Sequence, residues 1–166
     1  MKHNHATSAK TSRRGADRGF TLVELMTAVS VLTVLAAVAA PNLRSFSAGQ
    51  SVKALAGDLT SDLMLARSEA LKRNASVTLA PSGTDWKAGW TVSTGTTALG
   101  GRGAFNADAV TLAGAPGSIT FNQFGRVAQP AGPVRITVSA ANVASPITRC
   151  VELDLSGRAR AKGASC

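Results

Sequence analysis

From Phe20 to Ala40 the chain carries a single charged side chain, Glu24, in an otherwise apolar run. About 20 such residues are enough to cross a bilayer as a helix, and few other folds can satisfy the backbone of so apolar a stretch. The carboxylate is the informative exception. A charge at membrane depth costs roughly 2.5–3.5 kcal/mol on insertion scales, so such a residue usually has a job. Two plainer readings compete. A secretory signal peptide would also place an apolar run after a basic segment, and Ala37-Val38-Ala39 offers a small-residue cleavage site. Glu24 argues against it, because the apolar region of a signal peptide is uncharged. The other is a membrane anchor with no further role.

The junction Arg18-Gly19-Phe20-Thr21-Leu22-Val23-Glu24-Leu25 resembles the type III signal of type IV pilins and pseudopilins. The resemblance implies a prepilin peptidase that cuts after Gly19 and methylates the new N-terminus at Phe20. It implies that Glu24 pairs with the N-terminal amine of a neighbouring pilin during assembly. It also implies a single-pass protein of the inner membrane, its globular domain in the periplasm, that later joins an extracellular pilus.

Charge supports that orientation. The chain has 18 Lys+Arg and 9 Asp+Glu, a formal +9. Five of the cations and one carboxylate lie in residues 1–19, so that segment carries +4 and the remainder +5. A basic leader stays in the cytoplasm by the positive-inside rule, which places the rest outside. In an exported domain the two cysteines, Cys150 and Cys166, favour a disulfide worth about 3 kcal/mol in the chain-entropy model. Spacing alone leaves two free thiols open. Both histidines, His3 and His5, fall in the leader, and the chain has no tyrosine. No metal-ligand spacing, nucleophile elbow or carboxylate pair stands out. The sequence therefore points to no catalytic residue, no metal and no cofactor, and disfavours an enzyme.

Residues 1–19 read as a cleaved basic leader, 20–47 as a transmembrane and assembly helix, and 48–166 as a globular domain. Pro41 is expected to kink the helix or end its first segment. Helical periodicity resumes after Gly49. Val52, Leu55, Leu59, Leu63, Ala66 and Ala70 share one face, predicting a helix over 50–74 that needs a sheet to cover its apolar stripe. From residue 75 the period becomes two. Strands are expected at Ser76–Ala80, Gly89–Ser93, Ser118–Asn122, Val134–Ser139 and Thr148–Leu155, with a long loop over Thr94–Gly117. Val151, Leu153 and Leu155 point one way; Cys150, Glu152 and Asp154 point the other. Trp86 and Trp90 suit packing against the helix better than a stacking platform for bases. No internal repeat is apparent. A long helix followed by an antiparallel sheet is an α+β layout.

Four blocks narrow the resemblance to the GspH/FimT family of minor pilins and pseudopilins. They are Leu65-Ala66-Arg67-Ser68-Glu69-Ala70, Gly89-Trp90-Thr91-Val92, Ile119-Thr120-Phe121-Asn122-Gln123-Phe124-Gly125-Arg126, and the segment from Arg149 to Arg160. The implied fold is the type IV pilin fold. In the tail, Gly157-Arg158-Ala159-Arg160-Ala161-Lys162 alternates cations with small residues. An extended chain puts Arg158, Arg160 and Lys162 on one face, roughly 6.5 Å apart. Such a row can meet successive phosphates with modest, salt-sensitive affinity and little base readout. A Cys150–Cys166 bridge would tether it, and Arg149 is a candidate to join it. Gly157-Arg158-Ala159-Arg160 is similar to the Gly-Arg-x-Arg motif of FimT-like proteins. The resemblance implies binding of double-stranded DNA during natural transformation. A solvated strand end, a structural minor pilin and a type II secretion pseudopilin are the alternatives.

Overall fold

The structure, a computed structural model, describes residues 19–105, 110–140 and 147–166, with the side chains of residues 40–42 left aside. The expected leader with His3 and His5 lies outside the described residues, apart from Gly19. Helix α1 runs from Leu22 to Arg73. Thr21 sets its start. Its Oγ1 accepts from the Glu24 amide at 3.2 Å, and its carbonyl accepts from the Leu25 amide at 3.1 Å. Thr21-x-x-Glu24 has the spacing of a capping box, so Glu24 stands at a helix start as well as in an apolar run. The helix continues through both Pro41 and Gly49. This corrects the expectation that Pro41 could end the first segment: proline removes one helical hydrogen bond, which a long helix can absorb locally. The end is where Asn74 was expected to stop it. Asn74 adopts φ 50°, its amide bonds to the Leu71 carbonyl and the Ala75 amide to the Ala70 carbonyl. That pair of bonds is a Schellman closure.

The chain divides into two units, Met1–Ala39 and Ala40–Cys166. In the first, α1 is long and apolar enough to cross a membrane by length and composition, and its large side chains from Leu22 to Val38 are exposed. In the second, the predicted stripe Val52, Leu55, Leu59, Leu63, Ala66 and Ala70 is buried throughout. It forms one core with both sheets of the unit.

The single expected sheet is two antiparallel ones. The first has the order β3-β2-β1-β5-β6, built from β1 (Val77–Pro81), β2 (Trp90–Thr94), β3 (Thr97–Arg102), β5 (Ile119–Phe121) and β6 (Val127–Gln129). The second has the order β4-β7-β8-β9, built from β4 (Val110–Ala113), β7 (Val134–Ala140), β8 (Thr148–Leu153) and β9 (Ala159–Lys162). The expected loop Thr94–Gly117 thus contains β3 and β4. It was misread because β3 is glycine-bearing and largely exposed, so backbone pairing with β2 holds it rather than an apolar alternation. Trp90 is buried, its indole N–H donating to Asp62 Oδ2 of α1 at 2.7 Å. Trp86 is also buried and donates to the Pro116 carbonyl. Both rings are therefore spent on packing.

A short repeat is present, contrary to the sequence reading. Asn122-Gln123-Phe124-Gly125-Arg126 joins β5 to β6, and Asp154-Leu155-Ser156-Gly157-Arg158 follows β8 and leads into β9. In each, the glycine amide donates to the carbonyl of the first residue, and the amide of the first residue donates to the carbonyl of the fifth. In each, the arginine amide donates to the side-chain oxygen of the Asn or Asp, at 3.1 and 3.0 Å. Both glycines have positive φ, 68° and 82°, as a turn closed by a left-handed residue requires.

Because the buried residues among those described all lie in the second unit, core truncation should separate the two. Leu59→Ala should lower unfolding stability by about 2–5 kcal/mol. Leu35→Ala, at a side chain exposed in the chain, should leave it within about 0.5 kcal/mol. Chemical denaturation of the full chain in detergent, followed by tryptophan fluorescence, measures both.

Candidate nucleic-acid interface

The tail is a strand. β9 pairs antiparallel with β8 in the register Leu153↔Ala159, Glu152↔Arg160, Val151↔Ala161 and Cys150↔Lys162. Ala159 is buried in the core while Arg158, Arg160 and Lys162 are exposed. Backbone pairing holds the strand, alternation turns its cations outward, and Ala159 fills the inward position next to the core.

Cys150 and Cys166 form a disulfide, so the tether expected from sequence is in place. Cys150 stands opposite Lys162. The four residues after Lys162 therefore fold back over the outer face, where the Cys166 amide donates to Thr137 Oγ1 at 3.3 Å.

Two carboxylates sit among the cations. Glu152 accepts from Lys162 Nζ at 2.6 Å. That hydrogen bond, before any other cause, holds its carboxyl below the usual range, with Arg135 and Arg160 adding their charges. Arg135 and Arg160 flank Glu152 in register from β7 and β9. Asp154 takes the Ser156 hydroxyl at 2.5 Å and the Arg158 amide at 3.0 Å, and its carboxyl is lowered to about 2, chiefly by the Ser156 hydrogen bond and then the Arg158 amide. Arg158 Nε lies 3.4 Å from Asp154 Oδ2. Among the described residues neither Arg160 nor Arg135 is in an ion pair. The structure thus brings Arg158, Arg160 and Lys162 together as expected and adds Arg135, Glu152 and Asp154. Sequence reasoning passed over the two carboxylates although their alternation along β8 places them on the cationic face.

Arg149 is not in this row. It pairs with the buried Val138 of β7, so alternation turns it to the opposite face of the sheet. There it lines a recess with Lys53, Gln50 and Ile147. Gly19, Phe20 and Glu24 are together at the start of α1, in the other unit. Among the described residues no cluster of His, Cys, Asp and Glu suits a metal ion.

Asp154 gives a pH test with an internal control. Its carboxyl is lowered in the folded state from an ordinary 3.8 to about 2. Its contribution to the turn is therefore complete above the ordinary value and is lost as pH falls through that window toward 2. The Arg158 amide signal in NMR should titrate there. The Arg126 amide, bonded to the non-titrating Asn122 side chain, should not.

Comparison with known proteins accords with this architecture. The family pattern described as type II transport protein GspH matches residues 55–157. The prokaryotic N-terminal methylation motif matches residues 14–40. Comparison with curated proteins found no match. Two crystal structures of the Pseudomonas aeruginosa type IV minor pilin FimU share the fold. In space group P21 the TM-score is 0.56 at 21% identity, covering 70% of this chain and 92% of that one. In space group P65 the values are 0.51 and 21%, with 68% and 91% covered. A long N-terminal helix packed on antiparallel sheets, a methylation motif at its start and the GspH pattern across the globular unit place this chain in the GspH family of pilin-like proteins.

Proposed function

We propose that this chain is a minor type IV pilin that binds double-stranded DNA through its C-terminal strand and serves DNA uptake in natural transformation. One observation carries the reading. Two exposed cations, Arg160 and Lys162, project from one face of a strand fixed by pairing to β8 and by a disulfide, and a third, Arg158, is exposed in the turn that leads into it. Fixing the strand in advance removes much of the ordering cost of binding. The contacts are to phosphates, so the binding is independent of sequence. Arg149, on the opposite face, is left out of the contact set. The protein performs no chemistry in this role.

The N-terminal unit supplies assembly. A prepilin peptidase cuts after Gly19 and methylates Phe20. Glu24 then pairs with the amine of a neighbouring pilin. Before assembly α1 is held in the inner membrane with the globular domain in the periplasm. The match to the methylation motif supports this part. A second reading, a type II secretion pseudopilin or a purely structural minor pilin, is favoured by the family description itself. It needs the same N-terminal unit but no role for the tail cations.

Duplex DNA titrated into the full chain in detergent, at several salt concentrations, tests the reading. The Arg158→Ala/Arg160→Ala variant should bind far more weakly and lose about 1.8 from the slope of log affinity against log salt. Equal binding by wild type and variant, or none by either, would leave the second reading. Glu152→Gln should tighten binding several-fold, because it frees Lys162 from its partner and removes a charge that repels phosphate.

A further inference from the structure

The twin turns point to a cation that the tail motif does not contain. Arg126 holds in the first turn the position that Arg158 holds in the second, directly after a glycine of positive φ and with its amide bonded to the side chain of the turn's first residue. The two turns touch. The Val127 amide donates to the Leu155 carbonyl at 3.2 Å. A Cβ at Gly157 would collide with the Gly125 carbonyl. The contact joins the edge of one sheet, where β6 is outermost, to the edge of the other, where β9 is outermost. Arg126 and Arg158 are both exposed beside it.

The turns differ in one consequential residue. Asp154 neutralises Arg158 in part, whereas Asn122 in the matching place carries no charge. No Asp or Glu occurs between Gly114 and Arg149, and among the described residues Arg126 has no ion-pair partner. Beneath both turns lies Arg67 of α1. Its side chain is close to the Cβ positions of Gly125 and Gly157, and its buried Nε has no hydrogen-bond partner among the described residues. Three arginines and one carboxylate, Asp154, thus belong to the place where the sheets' edges touch.

We propose that Arg126 is a phosphate-contacting residue, and that duplex DNA lies across both turns instead of along β9 alone. The inference rests on the DNA-binding reading given above. The binding face begins at Lys162 and Arg160, passes Arg158 and continues onto the other sheet at Arg126. Arg67 contributes positive potential from below without touching the DNA. A polyanion is favoured over an acidic protein surface because the tail cations alternate with alanines along β9, which suits evenly spaced charges.

The test is duplex binding by the full chain in detergent as a function of salt, for wild type, Arg126→Ala, Asn122→Asp and Arg158→Ala/Arg160→Ala. Arg126→Ala should weaken binding several-fold and make the salt slope shallower by about 0.9, one phosphate contact. Asn122→Asp keeps the turn's hydrogen bonds and supplies the carboxylate that its twin has. It should weaken binding in the same direction, which separates lost charge from lost structure. If the tail double variant loses binding while both turn variants keep the wild-type affinity and slope, the inference is overturned and the DNA reading stands. If the tail double variant also binds as wild type, both fall.

Discussion

The apolar stripe of α1 is the constraint on which the globular unit depends. Six residues from Val52 to Ala70 are almost wholly removed from water, and no single small sheet covers them. The five-stranded sheet contributes Val77, Leu79, Trp90, Val92, Ile119 and Phe121, and the four-stranded sheet Val134, Ile136, Val138, Val151 and Leu153. Two sheets closing on one helix must bring their edges together somewhere, and they do so at the turns after β5 and β8. The exposed cations of both edges are adjacent there because the core is closed beneath them. Position on the surface follows from burial below it.

The tail shows how a weakly structured sequence becomes a defined surface. Gly157-Arg158-Ala159-Arg160-Ala161-Lys162 has little apolar content of its own. It is ordered by pairing with β8, by Ala159 entering the core and by the disulfide that returns the chain to Cys150. Glu152 and Asp154 then moderate its charge. A strand with three unopposed cations would repel itself; two of these three have a carboxylate partner, each able to give way to a phosphate. Such pairs are weak enough at a surface to exchange, which fits binding that is modest and salt-dependent.

Much of this was legible in the sequence, and the failures have physical causes. The α1 stripe was read residue by residue because a 3.6-residue period with full burial leaves a strong pattern. β1, β2, β5, β7 and β8 were found to within two residues at either end because each has a buried face. β3, β4, β6 and β9 were missed; all four are the outermost strands of their sheets, and edge strands owe their place to backbone bonds that sequence does not display. Pro41 was over-read as a possible helix end. The candidate row Arg158, Arg160 and Lys162 followed from alternation. The alternation read along β8 already put Glu152 on the outer face, but it was not carried across to the row on β9 or back to Arg149, which it sets apart. The repeated Asx-x-x-Gly-Arg turn was visible in the letters, but nothing in them says that the two copies touch.

The proposed DNA-binding surface is one continuous face formed where the two sheet edges join. The most direct measurement is an NMR footprint: amide and arginine side-chain shifts of the isotope-labelled chain in detergent, followed as a duplex is added. Binding on that face should give shifts concentrated at Gly125 and Arg126 in one turn and from Gly157 to Lys162 in the other, with Lys53 and Arg149 unchanged. Shifts centred on the recess beside Lys53 and Arg149, or an absence of shifts at saturating duplex, would contradict it.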